Sequence, residues 1–294
     1  MEMTDSIKQL KKQDSGCGTL YVVATPIGNL EDLTIRAARV LASADFIAAE
    51  DTRTTLKLLN HLGLKKPMIS CYRHNEESRC DEIINRIKRG EDCALCSDAG
   101  TPAVSDPGEQ LVRKAVDAGV RVSPVPGPSA VIAALSSGGM STGRFCFEGF
   151  IPVNKKTRRL RLSSIENEPR TIVIYEAPHK LKNTLKDLLS ALGDRELILA
   201  REMTKIHEEF IRTSISGAIS LYKNTEPKGE YVLLIEGKVP DEIILPSLSD
   251  AAEAAKLLIG QGYSASAAAK GAAEQTGLSR SEIYKAVLDN ADMD

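Results

Sequence analysis

Three loop segments of this 294-residue chain combine small polar side chains with glycine and proline: Thr25-Pro26-Ile27-Gly28-Asn29, Ser97-Asp98-Ala99-Gly100-Thr101-Pro102 and Pro126-Gly127-Pro128-Ser129-Ala130. Gly28 and Gly100 let backbone approach a ligand closely, and the prolines stiffen the loops around them. Each segment follows a short apolar run that reads as a buried parallel strand. All three are therefore expected at the carboxyl edge of one sheet, where α/β proteins place their ligands. A stiff cleft rimmed by backbone amides suits a polar cofactor.

A second group of segments carries charge. Arg201-Glu202-Met203-Thr204-Lys205-Ile206-His207-Glu208-Glu209-Phe210 packs ionisable residues between two apolar stretches, and Tyr175-Glu176-Ala177-Pro178-His179-Lys180 follows a strand. A charge run is commonly just a solvated loop; clustered as here, Lys205, His207 and Glu208 form a substrate-positioning or proton-accepting set. The residues alone do not choose among the three for a base. Gly229, in Lys228-Gly229-Glu230, signals close approach of backbone at a strand start. In Glu50-Asp51-Thr52-Arg53-Thr54 a threonine is placed to cap a helix, and Arg53 to meet a phosphate. Lys155, Lys156, Arg158, Arg159 and Arg161 stand within seven positions with no acid among them. Like charges at that spacing repel on a helix, which favours anion binding over a merely solvated face.

The elements that must position these residues alternate. Strands are expected at Leu20–Ala24, Phe46–Ala49, Met68–Ser70, Cys93–Cys96 and Val120–Val125, with helices at Thr34–Ala42, Thr54–Leu62, Asp81–Arg89, Gly108–Ala118 and Ser129–Ser136. Such alternation means βαβ units and a mostly parallel sheet. The glycine-rich stretch Ser136 to Gly143 breaks the rhythm and reads as a hinge. Beyond it come strands Arg144–Gly149, Thr171–Tyr175, Glu196–Arg201, Glu208–Thr213 and Tyr231–Glu236, with helices Thr157–Ile165, Leu181–Leu192 and Ile215–Tyr222. Strand directions there are expected to be mixed, because the connection around Lys205 is too short for a helical crossover.

This predicts a disordered tail at 1–18, α/β lobes at 19–138 and 139–238, a linker at Pro240 to Pro246, and about three short helices at 247–294. Ser279 and Glu282 have capping-box spacing. The terminal helices hold more acids than cations, so charge does not make them an RNA-binding module.

The hydrophobic content of 42% supplies more than one core, and a net charge of −2 confines any nucleic-acid contact to local patches. No apolar run has membrane-spanning length and no signal peptide is evident, so a cytoplasmic location without membrane attachment is expected. The six cysteines are spread too thinly for a disulfide framework. Cys93 and Cys96 have CxxC spacing but lie on a strand, where residues three apart face opposite ways. They read as small buried hydrophobes, and His61, His74, His179 and His207 show no ligand spacing with cysteines. No structural metal is expected.

The segments Ala24 to Leu30, Glu50 to Arg53, Ser97 to Pro102, Tyr175 to His179, Arg201 to Lys205 and Lys228 to Glu230 together resemble the tetrapyrrole-methylase superfamily. Within it, they are most similar to the bacterial branch that methylates the ribose 2′-hydroxyl of a cytidine in small-subunit (16S) ribosomal RNA. The likeness runs from Thr19 to about Gly237. It implies two α/β lobes with the cofactor cleft between them and a homodimer, to which the sequence pattern adds the small C-terminal helical bundle. It also implies S-adenosyl-L-methionine as cofactor and ribosomal RNA or the assembled 30S subunit as partner. The matching motifs put Pro26, Ile27, Gly28, Asp98, Ala99, Gly100, Thr101, Val104, Ser129, Ala130, Tyr175, Glu176 and Gly229 at the cofactor; the charge patterns read above then assign Lys205, His207 and Glu208 to the chemistry, and Arg53 with the Lys155–Arg161 cations to the RNA. Thr101 stands where porphyrin-type members carry an acid, and Glu176 where they often keep methionine, which argues for a different acceptor. The readings set against this one are a small-molecule tetrapyrrole-type methylase and a noncatalytic RNA-binding assembly factor.

Overall fold

The computed structural model describes residues 16–72, 75–239 and 247–289. Most of the expected tail, His74 and the expected linker lie outside them. Residues up to Lys238 form one compact unit and those from Val239 a second.

The first unit holds two five-stranded sheets. The first sheet contains β1 (Thr19–Val23), β2 (Phe46–Ala49), β3 (Met68–Ser70), β4 (Cys93–Cys96) and β5 (Arg121–Val125), in the order β3-β2-β4-β1-β5. All its pairings are parallel. Its crossovers are α1 (Ile35–Ser43), α2 (Thr52–His61), α3 (Glu76–Lys88) and α4 (Glu109–Asp117). Period-two alternation sends Cys93 and Leu95 into the core on one face, and Ala94 and Cys96 into the core on the other. Both cysteines are fully enclosed, and burial pushes their thiols far up, Cys96 to about 12. They act as small core hydrophobes.

The second sheet contains β6 (Phe145–Phe150), β7 (Thr171–Glu176), β8 (Glu196–Arg201), β9 (Glu209–Ser214) and β10 (Tyr231–Ile235), in the order β6-β7-β10-β8-β9. Only β6 and β7 pair in parallel; the others are antiparallel, as the short Lys205 connection requires. On one face lie α6 (Lys155–Ser164), α7 (Pro178–Leu192) and α8 (Ile215–Leu221). The other face is covered by α5 (Ala130–Gly138), whose Val131, Ala134 and Leu135 pack with Val173, Ile198 and Leu234. This helix leaves the first sheet yet buries its apolar side on the second, and Ile27 from the β1 loop joins the same cluster. Ile27 and α5, which both follow strands of the first sheet, thereby share one core cluster with the second sheet.

Some boundaries differ from expectation. Helix α3 begins at Glu76, five residues before Asp81, because its first turn is polar and shows no apolar period. Helix α7 begins at Pro178, whose ring suits a first helical position. A 3-10 turn at Leu30–Asp32, capped by the Asn29 side chain, stands where a plain loop was expected. In the second unit, α9 (Leu248–Gly260), α10 (Ala265–Thr276) and α11 (Arg280–Asp289) pack around six buried alanines with Ile283 and Val287. The reciprocal capping box forms at Ser247 and Asp250. Ser279, expected to make one with Glu282, instead meets the Ser281 hydroxyl at 2.8 Å.

Glu76 ties α3 to the site. It is 4% exposed, and its carboxylate accepts the backbone N–H groups of Gly108 at 3.1 Å and Leu111 at 3.0 Å, capping α4 just after the Ser97–Val104 loop. Replacing it by alanine leaves two buried donors unpaired, at about 1–3 kcal/mol each. Thermal unfolding of Glu76→Ala should show a lower Tm, whereas Glu77→Ala, one residue further along the helix, should scarcely move it.

Candidate functional site

The three expected loops do meet. Thr25 and Gly100 exchange backbone hydrogen bonds of 2.8 and 3.0 Å, and the Thr25 hydroxyl donates to Ser97 O at 3.2 Å. The Thr101 hydroxyl donates to Pro128 O at 3.2 Å, and a Cβ added at Gly100 would stand 3.4 Å from Ile27 Cγ2. The β4 loop is thus tied on one side to β1 and on the other to the segment entering α5. Asp98 makes its contacts elsewhere, accepting the Asp51 N–H at 3.2 Å and pairing with the Thr54 hydroxyl. Burial first, then the nearby Asp51, raises its carboxyl above the ordinary value.

The second lobe closes on these loops through its charged segment. A Cβ on Gly28 would stand 2.6 Å from Lys205 Cγ and 2.9 Å from the Thr204 hydroxyl. Only glycine permits that approach. Lys205 Nζ donates to Glu202 Oε1 and Glu230 Oε2, each at 2.9 Å, and Glu202 also accepts the Glu230 N–H. Burial alone would lower the Lys205 pKa, but the two carboxylates outweigh it and hold the ammonium above its ordinary value. Gly229 leaves room for Glu202, whose Cγ would be 2.4 Å from an added Cβ.

Strain marks the same place. Among the described residues, four non-glycine residues adopt positive φ: Ala103 (67°), Ser105 (68°), Glu202 (50°) and Thr204 (66°). Two lie in the β4 loop and two in the β8–β9 loop. Such conformations persist only where the surroundings enforce them, and they gather at ligand sites. Gly149, at a bulge in β6, brings the second sheet within 2.6 Å of the Ser105 hydroxyl by the position its Cβ would take.

Other expected residues take varied places. Ser129 caps α5 without a side-chain bond, Ala130 packs partly into the bridging core, and Val104 is half exposed beside strained Ala103. Tyr175 stacks edge-on against Phe147 at 4.8 Å and Phe150 at 5.5 Å, and burial lifts its hydroxyl to about 12. Glu176 is buried; it accepts the Ala177 N–H at 2.8 Å and the Thr184 hydroxyl, which itself accepts from Arg158 at 2.9 Å. Arg158 also pairs with Asp187 at 2.6 Å, and Arg161 with Glu148 at 2.8 Å. The cation run has no acid in sequence, but the fold brings two to it. Lys155 and Arg159 instead line a groove of about 720 Å³ between α6 and α7, with Lys180 and Lys186 opposite. Arg53 is chelated by Asp51 at 2.7 Å, an arrangement that lowers the Asp51 carboxyl to about 2. His207 is exposed, and Glu208 accepts the Thr204 N–H at 2.6 Å, bracing the strained loop. Sequence reasoning passed over Glu202, Thr204 and Glu230 as individuals, although each stands in a quoted motif.

The family model for tetrapyrrole (corrin/porphyrin) methylases matches residues 19–218. This chain belongs to that family. It is 45% identical over 273 residues to "Ribosomal RNA small subunit methyltransferase I" of Synechocystis sp., covering 92% of this chain and 98% of that one. A protein of the same name from Thermotoga maritima is 48% identical over 221 residues, 75% of this chain and 99% of its own. Among solved structures, uroporphyrin-III-C-methyltransferase from Thermus thermophilus superposes with TM-score 0.54 at 19% identity, covering 74% of this chain and 94% of that one. Diphthine synthase does so with TM-score 0.58 at 14% identity, over 76% and 91%. These two share the fold.

The chain is a methyltransferase whose cofactor is S-adenosyl-L-methionine. The residues present fit that molecule. A sulfonium tolerates no unpaired cation beside it, and Lys205, the lysine that approaches Gly28, is neutralised by two carboxylates. The Thr204 hydroxyl, buried and without a hydrogen-bond partner, faces the same glycine and offers a polar contact.

Gly28→Val should abolish cofactor binding in calorimetry, because its side chain would displace Lys205 and Thr204; Gly63→Ala, on an open turn, should leave affinity unchanged.

Proposed function

We propose that this chain transfers the methyl group of S-adenosyl-L-methionine to the ribose 2′-hydroxyl of a cytidine in small-subunit ribosomal RNA. The observation that carries this reading is identity above 40% over nearly the full length of proteins named for small-subunit ribosomal RNA methylation. The motif resemblance adds the cytidine and its ribose. A homodimer acting in the cytoplasm belongs to the same reading; among the described residues no helix is long and apolar enough to cross a membrane.

The bound cofactor supplies an electrophilic methyl group. What the protein supplies is orientation: the Thr25, Gly100 and Pro128 loops are cross-tied, so a ligand placed on them meets a preset surface. Lys205 stays protonated between Glu202 and Glu230, so it orients the acceptor and takes no proton from it. Glu208 is occupied with the Thr204 N–H. His207, at the exposed end of the loop, is the proton acceptor of the three. RNA phosphates meet Lys155, Lys156 and Arg159, while Arg158 and Arg161 hold the helix that presents them.

Three outcomes test this. Nucleoside mass spectrometry of ribosomal RNA from cells lacking the protein should show loss of one 2′-O-methylated cytidine; an unchanged nucleoside profile would refute the acceptor. Lys205→Met should lower kcat at least tenfold with little change in cofactor affinity, and wild-type rates should show no limb from Lys205 below about pH 10. Lys155→Gln with Arg159→Gln should weaken RNA binding and reduce the slope of log K against log salt by about 1.5, as expected for two lost phosphate contacts. Arg161→Gln, whose partner is Glu148, should leave that slope alone.

A further inference from the structure

A second, smaller cavity lies where the β1 loop, α2 and the β4 loop meet. Its volume is about 250 Å³, and Pro26, Leu30, Thr54, Thr55, Ser97 and Asp98 line it. It is walled by the β1 loop with its 3-10 turn, by the first turns of α2 and by the start of the β4 loop. The β4 loop therefore makes two kinds of contact: Thr101 bonds Pro128 O in the segment entering α5, while Ser97 and Asp98 line this cavity.

The cavity's chemistry is specific. The Thr55 side chain is 3% exposed and its hydroxyl has no hydrogen-bond partner, an unmet donor and acceptor that native interiors rarely leave. Asp98 presents a carboxyl fixed by the Asp51 N–H and the Thr54 hydroxyl. Pro26 and the half-exposed Leu30 add apolar lining. The volume is below the roughly 300–1,000 Å³ of sites that enclose drug-sized ligands, so it suits one aromatic ring system with a few polar edges.

Resting on the ribose-methylation reading above, we propose that this cavity holds the pyrimidine base of the nucleotide being methylated, with Asp98 accepting from its exocyclic amine and Thr55 bonding its ring edge. A carboxylate accepting from cytosine N4 is the pairing that separates cytosine from uracil, which presents a carbonyl there. Enzymes that act on a nucleotide within structured nucleic acid take it out of the stack into such a pocket. Pro26 lines the cavity and Gly28, two residues on, touches Lys205. A base seated here leaves its sugar at the loop that faces the charged triad. Asp98 is thereby a specificity residue for the acceptor base rather than a cofactor ligand.

The experiment uses the full chain with two readouts. In the first, RNA carrying 5-iodocytidine at the target position is photocrosslinked to the protein and the site mapped by mass spectrometry. Crosslinks within residues 25–30 or 54–58 support the cavity whether or not methyl transfer occurs; crosslinks confined to other segments overturn it. In the second, kcat/KM is measured on RNA with cytidine or uridine at the target, and cofactor affinity by calorimetry. Asp98→Asn should reduce the cytidine-over-uridine preference by about tenfold, and Thr55→Val should lower kcat/KM on cytidine several-fold, with cofactor affinity within about twofold for both. Unchanged discrimination with lost cofactor affinity would return Asp98 to the cofactor and sink the proposal. Should wild-type protein make no ribose-methylated product while the crosslinks fall in the cavity, the acceptor hydroxyl is wrong and the base pocket stands.

Discussion

Everything at the site depends on how closely two lobes approach where neither has a side chain to spare. Gly28 in the first lobe admits the Lys205 stem and the Thr204 hydroxyl, and Gly229 in the second admits the Glu202 side chain that holds Lys205. These contacts place an ammonium between two carboxylates in a partly buried setting. A partly buried ion triad gains little over well-packed apolar groups, because desolvation offsets most of the Coulomb attraction. Its value is geometric: three charges that must satisfy one another leave few positions for the loop that carries them.

That constraint explains why the strained residues sit where they do. Glu202 and Thr204 accept left-handed backbone because the triad on one side and the Glu208 to Thr204 bond on the other over-determine the turn. Ala103 and Ser105 are held in the β4 loop by its bond to Pro107 O and by the approach of Gly149. Each such residue costs of order 1–3 kcal/mol, which the shared core through α5 and Ile27 must offset. The outcome is a cleft whose walls are set before any ligand arrives, the condition under which orientation contributes most to transfer rates.

Charge is distributed by the same logic. Of the five cations in the α6 run, the two with acids brought near by the fold work as struts: Arg158 reaches Asp187 and, through Thr184, the buried Glu176, while Arg161 reaches Glu148 at the β6 bulge. Lys155 and Arg159 line the α6–α7 groove. A motif glutamate and a presumed phosphate contact thus belong to one internal network.

Much of this was legible in the chain itself. Alternating apolar runs and amphipathic stretches determine the strands and helices, since burial of a period-two or period-3.6 face needs no knowledge of partners. The Gly and Pro loops announce the carboxyl edge of the first sheet, and the short link around Lys205 requires antiparallel pairing. The polar first turn of α3 was illegible because it carries no apolar period, and so was the role of Glu76, whose capping partners on α4 lie more than thirty residues away. So was the fate of each charge: Lys205 reads as either a base or a positioning group until Glu202 and Glu230 surround it, Arg158 as an RNA contact until Asp187 and Thr184 take it up, and Thr55 as an ordinary helix residue until packing strips its hydroxyl of partners. Sequence order determines which groups exist and which element carries them. Which groups meet is decided by the tertiary structure, because a charge's role depends on neighbours within a few ångströms that the chain supplies from tens of residues away.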